Sequence, residues 1–277
     1  DLVGRNLEAA GLASPSPIND LPGRLIRRLH QYNPVEQARK NVRHHYDLSG
    51  ELYDLFLDTD RQYSCAYFTD DHGDLERAQE DKKRHIAAKL LIKPEHRVLD
   101  IGSGWGGLGL HLARTGADVT GLTLSEEQLK VAQERARTEG LQGHAHFHLR
   151  DYRRQTGTFD RIVSVGMFEH VGANHFREYF AKIKDLLTDD GVAVLHTIGR
   201  AEGPGITNPW IRRYIFPGGY IPALSEVMTS IERTGLWATD VEILRLHYAE
   251  TLRQWRLRFQ ANREQALELY DERFCRM

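Results

Sequence analysis

The chain has 277 residues, and its 37 basic and 39 acidic residues leave a formal net charge of −2 at pH 7, which argues against a general affinity for nucleic acid. Its two cysteines, Cys65 and Cys275, are far apart in sequence, which is no disulfide framework and suggests a reducing compartment. No apolar run approaches the about 18 residues that span a bilayer, and no signal-peptide pattern opens the sequence, so we expect a cytoplasmic protein.

The N-terminal part of the chain predicts an irregular lead-in followed by a basic helix. Prolines within residues 1–23 disfavour a regular element there. From Leu21 to Arg43, apolar residues recur at helical spacing with arginines between them, which is typical of a helix that lies on an anionic membrane or packs on the protein's own core. The pattern alone favours core packing. We predict a basic extension over residues 1–40 and one domain over residues 41–277.

The segment before the first predicted strand contains reactive residue types but no complete site. His44 and His45 have no further Cys or His at ligand spacing, so we expect no metal site. Cys65 could be a nucleophile, but a free cysteine without an electropositive partner is more often an inert buried residue. Residues 74–92 predict a helix that is rich in charge on one face.

Beyond residue 96, predicted strands and helices alternate. The strands are predicted at 97–101, 117–122, 144–149, 159–165, 191–197 and near 238–245, and the helices at about 105–115, 125–139 and 174–187. This alternation predicts a parallel sheet with right-handed crossovers, in which ligands bind beyond the carboxyl ends of the strands. The aromatic-rich insertion at 199–222 is expected to cover that edge as a lid or a pocket wall.

The strongest single motif is VLDIGSGWGG at residues 98–107, where an apolar strand runs into four glycines. Such a loop brings backbone N–H groups and a helix N-terminus to a nucleotide ligand. The next strand ends in Leu122 and Thr123 instead of an acid for a ribose hydroxyl, which argues against NAD. With Asp100 two residues before Gly102, the loop resembles the cofactor loop of class I S-adenosylmethionine (SAM) methyltransferases. A tight turn without a ligand is the alternative.

Polar side chains also follow the other predicted strands at this edge. Their loops are TLSEEQ at 123–128, RDYR at 150–153, GMFEHVG at 166–172 and HTIGR at 196–200. Ser125 could simply cap the helix that follows it. Glu169 follows an apolar strand and His196 ends the next one, so the two form a candidate acid/base pair.

Several separated motifs together resemble the cyclopropane-fatty-acyl-phospholipid synthase family, including the mycolic acid cyclopropane synthases. The motifs are HHYDLSGELYDLFLD at 44–58, YSCAYF at 63–68, VLDIGSGWGG at 98–107, GLTLSEEQ at 121–128, FDRIVSVGMFEHVG at 159–172, YIFPGGYIP at 214–222 and HYAETLRQW at 247–255. The resemblance implies a Rossmann-like α/β fold of the class I SAM-dependent methyltransferases. It further implies a seven-stranded, mostly parallel sheet with helices on both faces, N-terminal helices and a lid.

The resemblance also implies two adjoining binding sites. The implied SAM contacts are Tyr63, Ser64, Asp100, Gly102, Ser103, Gly104, Trp105, Gly106, Thr123, Leu124, Ser125, Gln128, Asp151 and Tyr152. A bicarbonate ion is implied at Cys65, Glu169, His196, Tyr248 and the backbone near Ile198. In this setting Cys65 would hydrogen-bond to the anion instead of acting as a nucleophile.

The implied reaction is SAM-dependent methylene transfer to the double bond of an unsaturated phospholipid acyl chain at a membrane surface. A carbocation would form, and the bound bicarbonate would remove a proton to close the cyclopropane ring. Methyl-branched or hydroxylated lipid products, methylation of a small-molecule amine, and a catalytically dead SAM- or lipid-binding module are the alternatives. Peripheral membrane association is expected, and a homodimer is left open. Ser103 stands where many relatives of this family carry Cys, a change that we expect to be silent.

Overall fold

The computed structural model describes residues 50–70, 73–216 and 218–276. The predicted basic extension, its amphipathic helix, and His44 and His45 lie outside these residues. Within the described ranges, no helix combines the length and the apolar character needed to cross a membrane.

Strands and helices alternate along the described chain. The strands are β1 (Arg97–Ile101), β2 (Asp118–Thr123), β3 (Ala145–Leu149), β4 (Phe159–Val165) and β5 (Leu187–His196). The α-helices are α1 (Gly50–Asp54), α2 (Leu75–Lys89), α3 (Gly107–Ala113), α4 (Glu126–Thr138), α5 (Phe176–Leu186), α6 (Leu224–Thr234), α7 (Arg245–Ala261), α8 (Arg263–Leu269) and α9 (Glu272–Arg276). Short 3₁₀ turns at Tyr152–Arg154, Phe168–His170 and Ala173–His175 follow β3 and β4.

The strands form one parallel sheet in the order β3-β2-β1-β4-β5. The central strand β1 pairs on both sides, and its Leu99 lies opposite Thr120 of β2 and Ile162 of β4. This arrangement confirms the predicted parallel α/β sheet. Because all five strands run in the same direction, their carboxyl ends and the loops that follow them meet at one edge.

The prediction of seven strands is wrong for the part of the chain that the structure describes, where the sheet has five. Residues 236–244 form no strand, although a strand is predicted near 238–245, and residue 245 already begins α7. Asp240 pairs with Lys89, and Glu242 pairs with both Lys89 and His85 of α2. These contacts hold the segment against α2, and its apolar side chains, such as Ile243, stay exposed.

The core lies on both faces of the sheet because neighbouring residues of a strand point to opposite faces. Val98 packs with α3 and α4 in one apolar cluster, whereas Leu99 packs with α5 in the other. Both side chains are fully buried. The sheet therefore holds its carboxyl edge in a fixed position between two helical layers.

The insertion at 199–222 contains a π-helical turn at Ile211–Ile215. Trp210 and Tyr214 beside and within this turn are 43% and 40% exposed, so this part of the insertion presents aromatic surface to solvent. Tyr220 is buried, and its backbone N–H donates to the Glu169 carbonyl at 2.8 Å. The end of the insertion thus packs directly on the turn that carries Glu169.

Candidate active site

A cavity opens at the carboxyl ends of β1, β2 and β4, where the glycine loop leaves the sheet. The predicted cofactor residues that line it are Tyr63, Ser64, Asp100, Gly102, Ser103, Gly104, Trp105, Thr123, Leu124, Gln128, Asp151 and Tyr152. The edge predicted from strand direction is therefore also the place where the structure brings these residues together.

Gly106 and Ser125 of the predicted set are not among the residues that line this cavity. Gly106 has φ 87° at the start of α3, and a Cβ there would lie 2.9 Å from the Ala132 side chain of α4. Ser125 caps α4, since its hydroxyl accepts from the Gln128 N–H at 3.2 Å. Both residues have structural reasons for their identity, and for Ser125 this is the capping role suggested by the sequence.

The glycine loop approaches the cavity closely at Gly104. This residue has φ 54°, and a Cβ built on it would meet no protein atom within 4 Å. Asp100 Oδ2 and Ser103 Oγ are buried and have no hydrogen-bond partner among the described residues. A buried polar atom without a partner costs about 1–3 kcal/mol, so this wall is suited to a polar ligand.

A strap of residues 58–66 closes the cavity on its other side. Asp60 accepts from Lys83 at 2.8 Å and pairs with Arg135 of α4. A Cβ on Gly107 would collide with the Asp60 side chain, so glycine at the start of α3 allows the strap to approach. Tyr63 and Ser64 of this wall are implied by the family resemblance, but the ion pairs of Asp60 join segments that are distant in sequence and leave no local pattern to predict them from.

A second cluster adjoins the cavity and brings together Cys65, Glu169, Tyr248 and the backbone of Ile198, with His196 two residues before Ile198 in the chain. Glu169 lies in the 3₁₀ turn after β4, and its Oε1 accepts from the Ile198 N–H at 2.7 Å. Cys65 comes from the strap and Tyr248 from α7, and their titratable groups interact electrostatically with each other. Tyr248 interacts with Glu169 in the same way. His196 is the last residue of β5.

Burial controls the protonation of this cluster. It raises the pKa of Glu169, against the lowering effect of the Ile198 N–H. It lowers the pKa of His196 to about 4, and the positive charge of Lys82 acts in the same direction, so this imidazole is neutral at pH 7. Burial raises the pKa of the Cys65 thiol to about 11. Because the thiolate is the reactive form, a protonated Cys65 argues against a nucleophilic role.

Two atoms of the cluster are left for a ligand. Glu169 Oε2 and His196 Nδ1 are buried and have no hydrogen-bond partner among the residues that the structure describes. The Tyr248 hydroxyl can donate and accept hydrogen bonds, and the Cys65 thiol is a weak donor that in this structure donates to the Ala66 carbonyl at 3.3 Å. A small anion that also carries a hydroxyl group would suit this mixture of donors and an acceptor carboxylate.

Residues 34–277 match a family model described as mycolic acid cyclopropane synthetase. The chain is 44% identical over 251 residues to the cyclopropane-fatty-acyl-phospholipid synthase of Escherichia coli (strain K12), covering 90% of this chain and 64% of that protein. It is 41% identical over 260 residues to a probable fatty acid methyltransferase of Pseudomonas putida, covering 91% of this chain and 65% of that protein. The chain therefore spans just under two thirds of the length of these relatives.

Its structure is also similar to a crystal structure of mycolic acid cyclopropane synthase CmaA1 complexed with SAH and CTAB. The TM-score is 0.80 at 33% identity, and the match covers 89% of this chain and 90% of that one. This similarity confirms the predicted class of fold, a class I SAM-dependent methyltransferase, although with five strands instead of seven in the described residues.

Proposed function

The chain belongs to the mycolic acid cyclopropane synthetase family, and we propose that it transfers a methylene group from SAM to the double bond of an unsaturated phospholipid acyl chain, forming a cyclopropane ring. The observation that carries this proposal is the Glu169 carboxylate. One of its oxygens accepts from the Ile198 N–H at 2.7 Å, and the other is buried and has no hydrogen-bond partner within the described part of the chain.

We propose that the cavity holds SAM and that the adjoining cluster holds bicarbonate. SAM supplies an electrophilic methyl group and bicarbonate supplies a base. The unpartnered Asp100 and Ser103 atoms fit a polar cofactor at the glycine loop, and those of Glu169 and His196 fit an anion with a hydroxyl group. Cys65, Tyr248 and the backbone near Ile198 complete the proposed anion site.

The residues of the chain have distinct roles in this proposal. The Glu169 carboxylate accepts a hydrogen bond and orients the base, assisted by the neutral His196. Tyr63 stacks on Trp255 at 5.3 Å between ring centroids and lies 6.4 Å from Phe216 of the insertion. In this proposal the three rings exclude water from the reaction, and Tyr63, which lines the cavity, stabilises a developing positive charge.

We propose that the acyl chain reaches the site from a membrane surface beneath the insertion at 199–222. The exposed Trp210 and Tyr214 supply aromatic groups of the kind that sit at membrane interfaces. This proposal includes the peripheral membrane association, the cytoplasmic location and the division into an extension over residues 1–40 and a domain over residues 41–277.

The proposal is tested by incubating the protein with methyl-labelled SAM and vesicles of unsaturated phospholipid. We expect label in a cyclopropane fatty acid after the lipid is hydrolysed. A folded protein that binds S-adenosylhomocysteine (SAH), the demethylated cofactor, but transfers no label to lipid would contradict the lipid proposal. Label found only in an added amine would favour N-methylation.

A second candidate is C-methylation that gives a methyl-branched lipid. The chain is 41% identical to a Pseudomonas putida relative that is named a probable fatty acid methyltransferase, and this similarity supports the second candidate. Ring closure and branching both add one carbon and two hydrogens and differ in where the proton is lost. The products therefore have the same mass with unlabelled SAM, and their hydrogenation behaviour and their retention of deuterium from a labelled methyl group distinguish them.

SAM binding is expected to weaken as the pH falls below about 7. Burial raises the pKa of Asp100 to about 7 in the free protein. A cationic cofactor near this carboxyl favours its ionised form, so binding at about pH 6 must release a proton. Calorimetric titration with SAM, whose sulfonium carries this positive charge, in two buffers of different ionisation enthalpy measures this release. Asp100→Asn should abolish it, and a wild-type protein that releases no proton at about pH 6 would contradict the prediction.

Cys65→Ser is expected to keep most of the turnover, with a loss of no more than about tenfold. A hydroxyl can donate to the proposed anion as the thiol does, whereas a required thiolate nucleophile cannot be replaced in this way without near-complete loss. Product formation under saturating SAM checks this. Loss of all activity in a Cys65→Ser protein that still binds SAH would favour the nucleophilic role.

A further inference from the structure

Lys82 is a buried lysine at the base of the site that the sequence analysis left unassigned. It lies in α2 and is only 2% exposed. Its Nζ donates to Ser64 Oγ at 2.7 Å, and this is the single hydrogen bond that the ammonium makes within the described residues. Ser64 lines the cofactor cavity and is the neighbour of Cys65 in the strap. Lys82 therefore stands where the cavity and the anion cluster meet.

The neighbours of Lys82 on α2 anchor the same strap in a different way. Gln79 Nε2 donates to the carbonyls of Gln62 at 3.2 Å and Ser64 at 3.1 Å. Lys83, which is also buried, is paired with Asp60 at 2.8 Å and with Glu80 at 2.8 Å. The charge of Lys83 is thus neutralised by two carboxylates.

Lys82 has no comparable ion pair within the described residues, where its polar contact is the neutral Ser64 hydroxyl. Burying an ammonium without a carboxylate partner costs free energy, so its presence needs a reason beyond anchoring. Asp58 and Asp60 act on it electrostatically without forming an ion pair with it. A bound anion would supply the missing negative charge.

The charge of Lys82 also acts on the anion cluster. It favours the thiolate form of Cys65 and disfavours protonation of His196, so both groups lie within its field. Burial lowers the pKa of Lys82 to about 8, an effect that Asp58 and Asp60 oppose. The ammonium is therefore mostly charged at pH 7.

We propose that Lys82 is a positioning residue that holds Ser64 at the cavity wall and supplies the positive charge that favours bicarbonate among Cys65, Glu169, His196 and Tyr248. This inference rests on the proposed function, because it assigns a counter-charge to the anion of the same reaction. A bound anion explains why a lysine that has no carboxylate partner within the described residues is buried beside the site.

The test compares two neutral variants with a matched control from the same helix. Lys82→Met removes the charge and the Ser64 contact, and Lys82→Gln removes the charge but keeps an N–H donor. Lys83→Met removes an equally buried ammonium whose charge is already paired with Asp60 and Glu80. Circular dichroism and a cooperative thermal unfolding transition verify that each variant is folded.

Two readouts are used, at fixed pH and ionic strength and with chloride as the comparison salt. The first is the rise in melting temperature that bicarbonate produces in the SAH-bound protein, which needs no turnover. The second is the bicarbonate concentration that gives half-maximal product formation after dissolved CO₂ has been removed. We expect both Lys82 variants to need at least about tenfold more bicarbonate in each readout, because the electrostatic attraction between the buried ammonium and the anion is lost. Lys83→Met should melt at a lower temperature but keep the wild-type bicarbonate requirement.

The proposal is overturned if Lys82→Met or Lys82→Gln responds to bicarbonate as the wild type does, or if Lys83→Met shifts the requirement equally. A wild-type protein that is stabilised by bicarbonate but makes no cyclopropane lipid would contradict the proposed function alone, since the melting experiment still decides the role of Lys82. An increased KM for SAM in Lys82→Met but not in Lys82→Gln would support the anchoring of Ser64 separately from the charge.

Discussion

Glu169→Gln is expected to lower turnover by at least about a hundredfold while SAH still binds. The glutamine carbonyl can replace Oε1 and accept from the Ile198 N–H, so the turn should keep its position. The amide nitrogen would replace the unpartnered Oε2, and it donates where the carboxylate accepts. The variant should therefore lose the orientation of the base but keep the cofactor cavity, which Glu169 does not line.

Glu178→Gln on α5 is the control for this substitution. Its carboxylate is exposed, pairs with His175 at 2.8 Å and does not line the cofactor cavity. Turnover and SAH affinity should both match the wild type. If Glu169→Gln is as active as the wild type while SAH binding persists, the proposed anion site is wrong.

Gly104→Ala is expected to weaken SAH binding by at least about tenfold, which corresponds to about 1.4 kcal/mol. A Cβ at this position meets no protein atom within 4 Å and would occupy the cavity itself. The positive φ of 54° also disfavours alanine, so a modest loss of stability of about 1–2 kcal/mol is expected together with the loss of affinity. Calorimetric titration with SAH and thermal unfolding measure the two effects.

Gly140→Ala separates the cavity effect from the backbone effect. Gly140 has φ 70° and equally open surroundings, but it follows α4 and does not line the cavity. It should lose a similar amount of stability and keep the wild-type affinity for SAH. Equal affinity losses in the two variants would show that strain, and not occupation of the cavity, explains the effect at Gly104.

The sheet and its functional edge could be predicted because their signals are local. The glycine loop follows β1 directly, and each predicted strand from 97 to 165 lies within one residue of the observed one. Local signals could not show that the strand predicted near 238–245 does not form. Its apolar pattern fits a strand, but ion pairs with α2 place it elsewhere, and such long-range contacts leave no periodic signal.

The roles of the residues in the proposed anion site could not be predicted from local sequence patterns. From the residues alone Cys65 resembled an inert buried thiol, and only the family resemblance placed it in an anion site. The structure adds the burial that keeps the thiol protonated and the nearby charge of Lys82. The sequence did not predict a role for Lys82, because the charged residues of its helix predict a solvated face. Whether a side chain is buried depends on distant segments, such as the strap, that pack against the helix.

The central claim is tested most directly with SAM that carries a fully deuterated methyl group and vesicles of unsaturated phospholipid. If the chain closes a cyclopropane ring, the methyl group loses one of its three deuterium atoms, and mass spectrometry should find a lipid that retains two and resists mild hydrogenation. A lipid with two deuterium atoms that takes up hydrogen under the same conditions would indicate an exocyclic alkene on the way to a methyl branch. A product that retains all three deuterium atoms, or an unmodified lipid in the presence of folded, SAH-binding protein, would contradict ring closure.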